Sequence, residues 1–307
     1  MRSSMSFWGR LALLVTFAAG GCMGTPDDGV ASTAGAVTSI AFANLRRCGT
    51  TDPGIVEQDV TNVTAAQRSL LAARGGRIKI PVIFHVITNG AGEGDVSDLV
   101  PAQIDVLNAA YAAAGFRFRL LAIEVTQNDE WYTAAVDSPA EKQMKQALRQ
   151  GDVDTLNVYT GVNDGSLLGW ATFPSSYKKH PLDDGIVVFN ASLPGGGLEF
   201  PFDPAQEPDG LIAYDRGDTL THETGHWLGL FHTFQDGCTK KGDRIDDTPA
   251  EAEPQFFCVD RDSCTGNKFP GTDPIHNFMD YVDDDCMDRF TSDQNDRMQS
   301  QFAAFRQ

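Results

Sequence analysis

The chain has 307 residues, is poor in basic side chains, and lacks a long apolar run after its first twenty residues. Lys and Arg number 24 against 42 Asp and Glu, which gives a formal net charge of -18. Because this charge would oppose binding to a phosphate backbone, we expect no nucleic-acid partner. An acidic surface suits cationic substrates or bound calcium. The absence of a later apolar run predicts no membrane-spanning helix.

Residues 1–21 have the pattern of a secretory signal peptide. Arg2 and Arg10 precede the apolar run Leu11 to Ala19, and small residues follow. The run is too short to span a bilayer. Small residues before Cys22 also resemble a bacterial lipoprotein processing site, although Ala19 stands where such sites usually carry Leu. We therefore expect secretion, or attachment to the outer membrane or cell surface if Cys22 is lipidated.

Residues 22–76 are predicted to be a pro-segment. Residues 23–44 are rich in Thr, Ala, Gly, Ser and Asp, a composition typical of a flexible tether. The basic, glycine-containing segment from Arg74 to Arg77 is a candidate exposed cleavage site. An enzyme that cuts before Arg could cleave its own Ala73–Arg74 or Gly76–Arg77 bond.

Residues 77–307 carry the periodic patterns of an α/β domain and no internal repeat. Apolar alternation predicts strands from Ile78 and from Phe116, and helical spacing predicts a helix over 100–114 with Asp98 as its cap. Thr291 and Gln294 fit a capping box that opens a last helix. The remaining predictions are a helix over 139–150, strands over 156–160 and 186–189, a loop over 195–210, and a helix over 218–228 capped by Asp218.

The most informative pattern is H-E-x-x-H-x-x-G-x-x-H, from His222 to His232. Residues four apart share a helix face, so His222 and His226 can bind one ion together. Gly229 can adopt the left-handed turn that ends the helix and brings His232 back as a third ligand. Glu223 lies beside the metal, where it can act as general base and then as general acid. Three ligands and an open position are typical of catalytic zinc.

Alternatives to a peptidase exist for this motif. A chance match would leave the three histidines without a shared role, but the added glycine and third histidine make chance improbable. A binding protein could hold zinc as a structural prop, although Glu223 is present and no fourth ligand is evident in residues 77–307. A zinc amidase or cell-wall peptide hydrolase could use the same motif. His85, His180 and His276 lack ligand spacing and are interpreted as structural or surface residues.

The motif together with a later methionine, Met279 in Asn277-Phe278-Met279-Asp280-Tyr281, resembles the metzincin clan of zinc peptidases. Within the clan the chain resembles the pappalysins, through Leu168-Gly169-Trp170-Ala171 and the segment from Gly242 to Pro249. The resemblance implies a zinc metalloendopeptidase fold with a twisted, mixed five-stranded sheet, helices and a coil-rich C-terminal part. It implies that Met279 lies beneath the zinc site and that Tyr281 donates a hydrogen bond to the oxyanion.

The cysteines divide between export, pro-segment and catalytic domain. Cys238, Cys258, Cys264 and Cys286 allow three pairings, between which the sequence cannot choose. The resemblance favours Cys238–Cys264 and Cys258–Cys286. Cys48 is left over, and a pro-segment thiolate can occupy the open position of a zinc and keep the enzyme latent, as in some metzincin zymogens. The alternative is an incidental free cysteine.

Two acidic segments carry further expectations. Asp243, Asp246 and Thr248 form either a solvated acidic turn or, as the resemblance favours, a calcium site, in which Asp246 could offer its backbone carbonyl or its carboxylate. Asp284 matches the pocket aspartate of pappalysins by its spacing to Met279 and Cys286. This resemblance implies cleavage of proteins or peptides on the N-terminal side of Arg (or Lys). We expect a monomer.

Overall fold

The computed structural model describes residues 46–53, 77–163, 167–201 and 211–307. The predicted signal peptide, the candidate lipidation site Cys22, the tether and the candidate cleavage bonds before Arg74 and Arg77 lie outside the described residues, except for Arg77 itself. Within the described residues, no helix is long and apolar enough to cross a membrane.

A six-stranded sheet with the order β1-β5-β6-β4-β2-β3 forms the centre of the fold. Only the β5–β6 pair is antiparallel, so the sheet is mixed as predicted. Five of its strands come from the predicted catalytic domain, and the sixth comes from the predicted pro-segment. The strands are β1 (Arg46–Cys48), β2 (Ile78–Thr88), β3 (Phe116–Gln127), β4 (Leu156–Gly161), β5 (Leu167–Ala171) and β6 (Ile186–Phe189). A separate hairpin pairs β7 (Glu199–Pro201) with β8 (Leu211–Ala213).

Among the described residues, five α-helices accompany the sheet. Strands β4, β5 and β6 are buried along their whole length, as expected of strands covered on both faces. Tyr111 packs edge-on against Phe118 at 5.3 Å between ring centroids, joining the end of the first long helix to β3. The helices are α1 (Val100–Ala110), α2 (Asp129–Tyr132), α3 (Pro139–Leu148), α4 (Asp218–Trp227) and α5 (Ser292–Phe305).

The predicted strands and long helices are present, but two predicted caps are wrong. A 3-10 turn, Ser97–Leu99, precedes α1, so Leu99 occupies the cap position and makes no side-chain capping bond. Gly217 caps α4 with φ +98°, and Asp218 is the first helical residue. The predicted loop over 195–210 contains strand β7. The capping box of Thr291 and Gln294 is confirmed at α5.

The C-terminal part is mostly coil and is fastened by disulfides and buried ion pairs. Cys238–Cys264 and Cys258–Cys286 are both bonded, which is the predicted pairing. Arg306 is fully buried and binds both carboxylate oxygens of Asp184 at 3.0 Å. Its guanidinium lies 3.6 Å from the ring centroid of Trp227, the last residue of α4. The end of the chain therefore supports the helix that carries the metal motif.

Candidate active site

Three histidines converge where α4 and the following turn meet. The Nε2 atoms of His222 and His232 lie 3.2 and 3.0 Å from Nε2 of His226. Nδ1 of His222 donates to the Phe278 carbonyl at 2.7 Å, and Nδ1 of His226 donates to the Leu230 carbonyl at 2.8 Å. Since carbonyl oxygens only accept, the Nε2 atoms of these neutral rings carry lone pairs. Nitrogen lone pairs crowded at one point fit a shared cation.

The protonation of the three rings agrees with metal binding. Burial lowers the pKa of His226 to about 4. Burial also lowers the pKa of His222 and His232 well below the ordinary value. All three imidazoles are therefore neutral near pH 7, which is the form that binds a metal.

The turn after α4 depends on two glycines. Gly229 has φ +92°, the left-handed conformation predicted for it, and a Cβ there would lie 2.5 Å from the Gln301 side chain. Gly225 faces Met279, and an added Cβ would lie 2.4 Å from the Met279 sulfur. Met279 is fully buried and so packs directly against the helix beneath the histidines. Sequence reasoning missed Gly225, because a glycine inside a helix indicates close packing without naming its partner.

Glu223 lies beside the histidines and is fully buried. Burial raises its pKa to about 7, as suits a group that must take up and release a proton near neutral pH. Its Oε2 accepts a hydrogen bond from the Thr50 hydroxyl at 2.8 Å. The same hydroxyl accepts from the Ala171 amide at 2.8 Å. Thr50 was not predicted, because a single threonine in the pro-segment has no spacing that marks it.

Tyr281 also lies beside the histidines. Its hydroxyl is 3.2 Å from Nε2 of His232, and burial raises its pKa above the ordinary value. The phenol therefore keeps its proton at neutral pH and can donate it in a hydrogen bond. The ring packs against Phe234, which in turn stacks on His232 with 4.7 Å between centroids.

Strand β1 places the predicted pro-segment in the site. It pairs parallel with β5, with Cys48 opposite Gly169. The sulfur of Cys48 and one nitrogen of each motif histidine all lie within 4.8 Å of one another. Cys48 forms no disulfide, and burial raises the pKa of its thiol. Cys48 could thus provide the fourth ligand of a tetrahedral metal site.

Arg47, the neighbour of Cys48, enters a pocket that contains Asp284. Its Nη2 lies 3.1 Å from Asp284 Oδ1, and both side chains are almost fully buried. The other oxygen of Asp284 accepts from the backbone amides of Arg216 and Asp218 at 2.9 and 3.2 Å. The spacing to Met279 singled out Asp284, but the sequence did not indicate Arg47 as its partner.

The candidate calcium loop lies apart from the histidines, and the structure brings only part of it together. Asp243 and Thr248 are buried, whereas Asp246 is exposed. Oδ2 of Asp243 and Oγ1 of Thr248 are buried without a hydrogen-bond partner among the described residues. Burial raises the pKa of Asp243 to about 7. Buried oxygens without partners fit a cation bound by hard ligands.

The other histidines have structural surroundings. His85 is fully buried, hydrogen-bonds Asn157 at 2.9 Å and stacks on Tyr159. His276 contacts the Cys286 carbonyl at 2.7 Å, and His180 is exposed.

Comparison with known proteins identifies the family. The family model for peptidase family M43, described as pregnancy-associated plasma protein-A, matches residues 210–303. An extracellular metalloprotease of Pyricularia oryzae is 38% identical over 285 residues, covering 89% of this chain and 94% of that protein. One from Sordaria macrospora is 39% identical over 271 residues, covering 84% and 88%.

Solved structures agree with this assignment. Mature mirolysin of Tannerella forsythia in complex with a cleaved peptide has a TM-score of 0.58 and 29% identity, covering 74% of this chain and 92% of that one. A mutant promirolysin from the same organism, at 24% identity, shares the fold with a TM-score of 0.60 over 85% of this chain and 95% of that one. The chain therefore belongs to the pappalysin family, M43, of zinc metallopeptidases, and it is a metalloendopeptidase.

Proposed function

We propose that this metalloendopeptidase is exported as a latent zymogen and cuts peptide bonds on the N-terminal side of Arg or Lys. The observation that carries the proposal is the position of two adjacent pro-segment residues. Cys48 lies among the motif histidines, and Arg47 forms a salt bridge with Asp284. One short strand thus occupies both the metal position and the neighbouring side-chain pocket.

The residues of the site have separate tasks in hydrolysis. His222, His226 and His232 would hold the zinc, which when bound lowers the pKa of a water molecule and polarises the scissile carbonyl. Glu223, with a pKa of about 7, takes the proton from the attacking water and delivers it to the leaving amine. Tyr281 keeps its phenolic proton and donates a hydrogen bond to the oxyanion.

Latency follows from what strand β1 covers. A thiolate at the position of Cys48 would fill the coordination site that hydrolysis needs for water. The backbone amide of Gly49 donates to the Gly169 carbonyl at 2.9 Å, so the pro-segment also uses backbone groups of β5 that an extended substrate could use. The segment from Arg74 to Arg77 is the candidate site of cleavage. Removal of the pro-segment would free both the coordination site and the backbone groups of β5. Because residue 74 lies outside the described part, N-terminal sequencing of the active form is the test of that cut.

The specificity proposal rests on charge. Asp284 has one oxygen fixed by two backbone amides and the other turned toward a guanidinium. A buried carboxylate that is held in place needs a cationic partner, which Arg or Lys supplies. Because Arg47 precedes Cys48 in the chain, this pocket receives the residue after the scissile bond when a substrate runs in the direction opposite to β1.

Export and calcium complete the proposal. The N-terminal pattern of residues 1–21 predicts a signal peptide, and the similar fungal proteins are named extracellular metalloproteases. Disulfides such as Cys238–Cys264 suit an oxidising compartment. Asp243 and Thr248 are proposed to bind a structural calcium ion, with Asp246 contributing its carboxylate or backbone carbonyl.

A peptide-library digest with the activated protein tests the function. We expect cuts before Arg and Lys, no cuts by Glu223→Ala, and loss of the basic preference in Asp284→Ala. Cell-wall peptides serve as the competing substrate. An enzyme that cleaves those but not the library would be an amidase, and an unchanged preference in Asp284→Ala would remove Asp284 from the pocket.

A further inference from the structure

The pocket that holds Arg47 has a flat aromatic wall as well as a carboxylate. The guanidinium carbon of Arg47 lies 4.7 Å from the ring centroid of Tyr214. The sulfur of Met287 lies 3.6 Å from Nη2 on the same guanidinium. Tyr214 follows strand β8 and is only 2% exposed. Neither Tyr214 nor Met287 was indicated by the sequence motifs.

The carboxylate alone cannot separate Arg from Lys. Oδ2 of Asp284 is committed to the amides of Arg216 and Asp218, so only Oδ1 is available to the side chain in the pocket. A bidentate salt bridge, which would favour a guanidinium, is therefore not formed. A lysine ammonium, which is a compact point charge, could satisfy one oxygen equally well.

The guanidinium lies over the Tyr214 ring, and within the described part of the chain only its Nη2 bonds a side chain along its edge. Nε and Nη1 of Arg47 have no hydrogen-bond partner among the described residues, although both are buried. A planar, weakly hydrated guanidinium tolerates this environment and stacks on an aromatic ring, whereas an ammonium remains strongly hydrated and has no planar face. The discrimination between an arginine and a lysine side chain therefore comes from the Tyr214 ring and not from Asp284.

The ring is also held rigidly. Tyr214 belongs to a buried apolar cluster with Leu168, Phe189, Leu198 and Ile212. Leu168 lies on β5, and Ile212 lies on β8, so the sheet and the hairpin both support the ring. A wall that is fixed before the substrate arrives loses little entropy on binding, which is a property expected of a specificity pocket.

We propose that Tyr214 is the residue that makes this pocket prefer Arg to Lys. Asp284 selects a positively charged side chain, and the Tyr214 ring favours a planar guanidinium over an ammonium. This inference rests on the proposed cleavage before basic residues, and it identifies Arg-containing peptides as the main substrates within that class.

Two fluorogenic peptides that differ only in Arg or Lys after the scissile bond test the inference. With the activated wild-type enzyme we expect the Arg peptide to have the higher kcat/KM. Tyr214→Leu should lower the Arg-to-Lys ratio of kcat/KM about three- to thirtyfold, mainly through the Arg peptide, as expected for loss of a desolvated cation–π contact. Tyr214→Phe is the matched control and should keep the ratio, because the ring remains.

The outcomes of these measurements decide whether Tyr214 causes the preference for Arg. Equal cleavage of both peptides by the wild-type enzyme overturns the inference, and that measurement needs no variant to fold. An unchanged ratio in Tyr214→Leu also overturns it, as does a lowered ratio in Tyr214→Phe, which would assign selectivity to the hydroxyl. Asp284→Ala separates the two proposals: if it loses both basic substrates, the pocket stands whatever Tyr214 does. If it loses neither, the proposed pocket itself is wrong.

Discussion

The buried carboxylate of Asp243 gives a quantitative prediction about calcium. Asp243 is 3% exposed, and its Oδ2 has no hydrogen-bond partner among the described residues. Burial raises its pKa from 3.8 to about 7. The folded protein without a cation therefore holds this proton more tightly than the unfolded chain does. The contribution of Asp243 to the free energy of unfolding is therefore largest below its unfolded pKa of 3.8 and falls as the pH rises toward 7.

The size of the effect follows from these two pKa values. They differ by about 3, and at about 1.4 kcal/mol for each pH unit the cost of ionising Asp243 is about 4 kcal/mol. That cost corresponds to a fall in Tm of roughly 8 to 16 °C for a domain of this size. Calcium should remove the penalty, since it neutralises the carboxylate in place of the proton and stabilises the state that binds it.

The assay is thermal unfolding at about pH 5 and pH 8, the first within the window between the two pKa values of Asp243 and the second above it. Each pH is measured with calcium and after calcium removal, with zinc content checked in every sample. We expect calcium to raise the Tm at both pH values, and by more than twice as much at the higher pH as at the lower. Asp243→Asn should lose most of this calcium dependence. Asp262→Asn removes a charge from an exposed position of the same coil-rich part and should keep it.

Two results would refute the reasoning. One is a calcium-free wild-type protein whose Tm does not fall between the two pH values. The other is an Asp243→Asn variant that responds to calcium as the wild type does. Either result would favour the alternative that the sequence left open, in which this loop is a solvated acidic turn.

Three further predictions concern latency and stability. Full-length Cys48→Ala should cleave peptides before its pro-segment is removed, whereas uncut wild type should not; equal activity of the two would exclude the cysteine as the inhibitory group. Thr50→Val should raise the residual activity of the uncut protein roughly 10- to 150-fold, because a hydrogen bond to a charged group is worth about 1.5–3 kcal/mol. Thr50→Ser, which keeps the hydroxyl, should not, and similar rates for Val and Ser would show that the bond to Glu223 does not matter. Asp184→Asn should destabilise the protein by about 3–5 kcal/mol in calorimetric or circular-dichroism melts, because it removes the carboxylate that neutralises the buried Arg306 guanidinium; an unchanged Tm would contradict this.

The parts of the site that the sequence predicted are local. His222, Glu223 and His226 lie on one helix, and Gly229 has the left-handed conformation that its place in the motif required. Their geometry depends on helical periodicity and on one turn, both of which a short stretch of sequence determines. The capping box at Thr291 was predictable for the same reason.

The errors and omissions arise where a residue has competing partners. Asp98 and Asp218 are both plausible caps, but a 3-10 turn displaces the first, and Gly217 takes the position that the second was expected to fill. Gly225 is explained only by Met279, more than fifty residues away, whose sulfur occupies the space of a Cβ. Propensity cannot predict such contacts, since the partner is chosen by tertiary packing.

The pro-segment shows most clearly where sequence reasoning stops. Cys48 could be singled out because it alone remained after the four catalytic-domain cysteines and the export-site Cys22 were set aside, and few residue types bind zinc. Arg47 and Thr50 have no such distinction, yet they contact Asp284 and Glu223 across 237 and 173 residues of sequence. Their partners are set by the pairing of β1 with β5, which fixes the position of every residue from 46 to 50 once one of them is placed. A three-residue strand has too weak a pattern to be predicted, so the contacts that it aligns could not be predicted either.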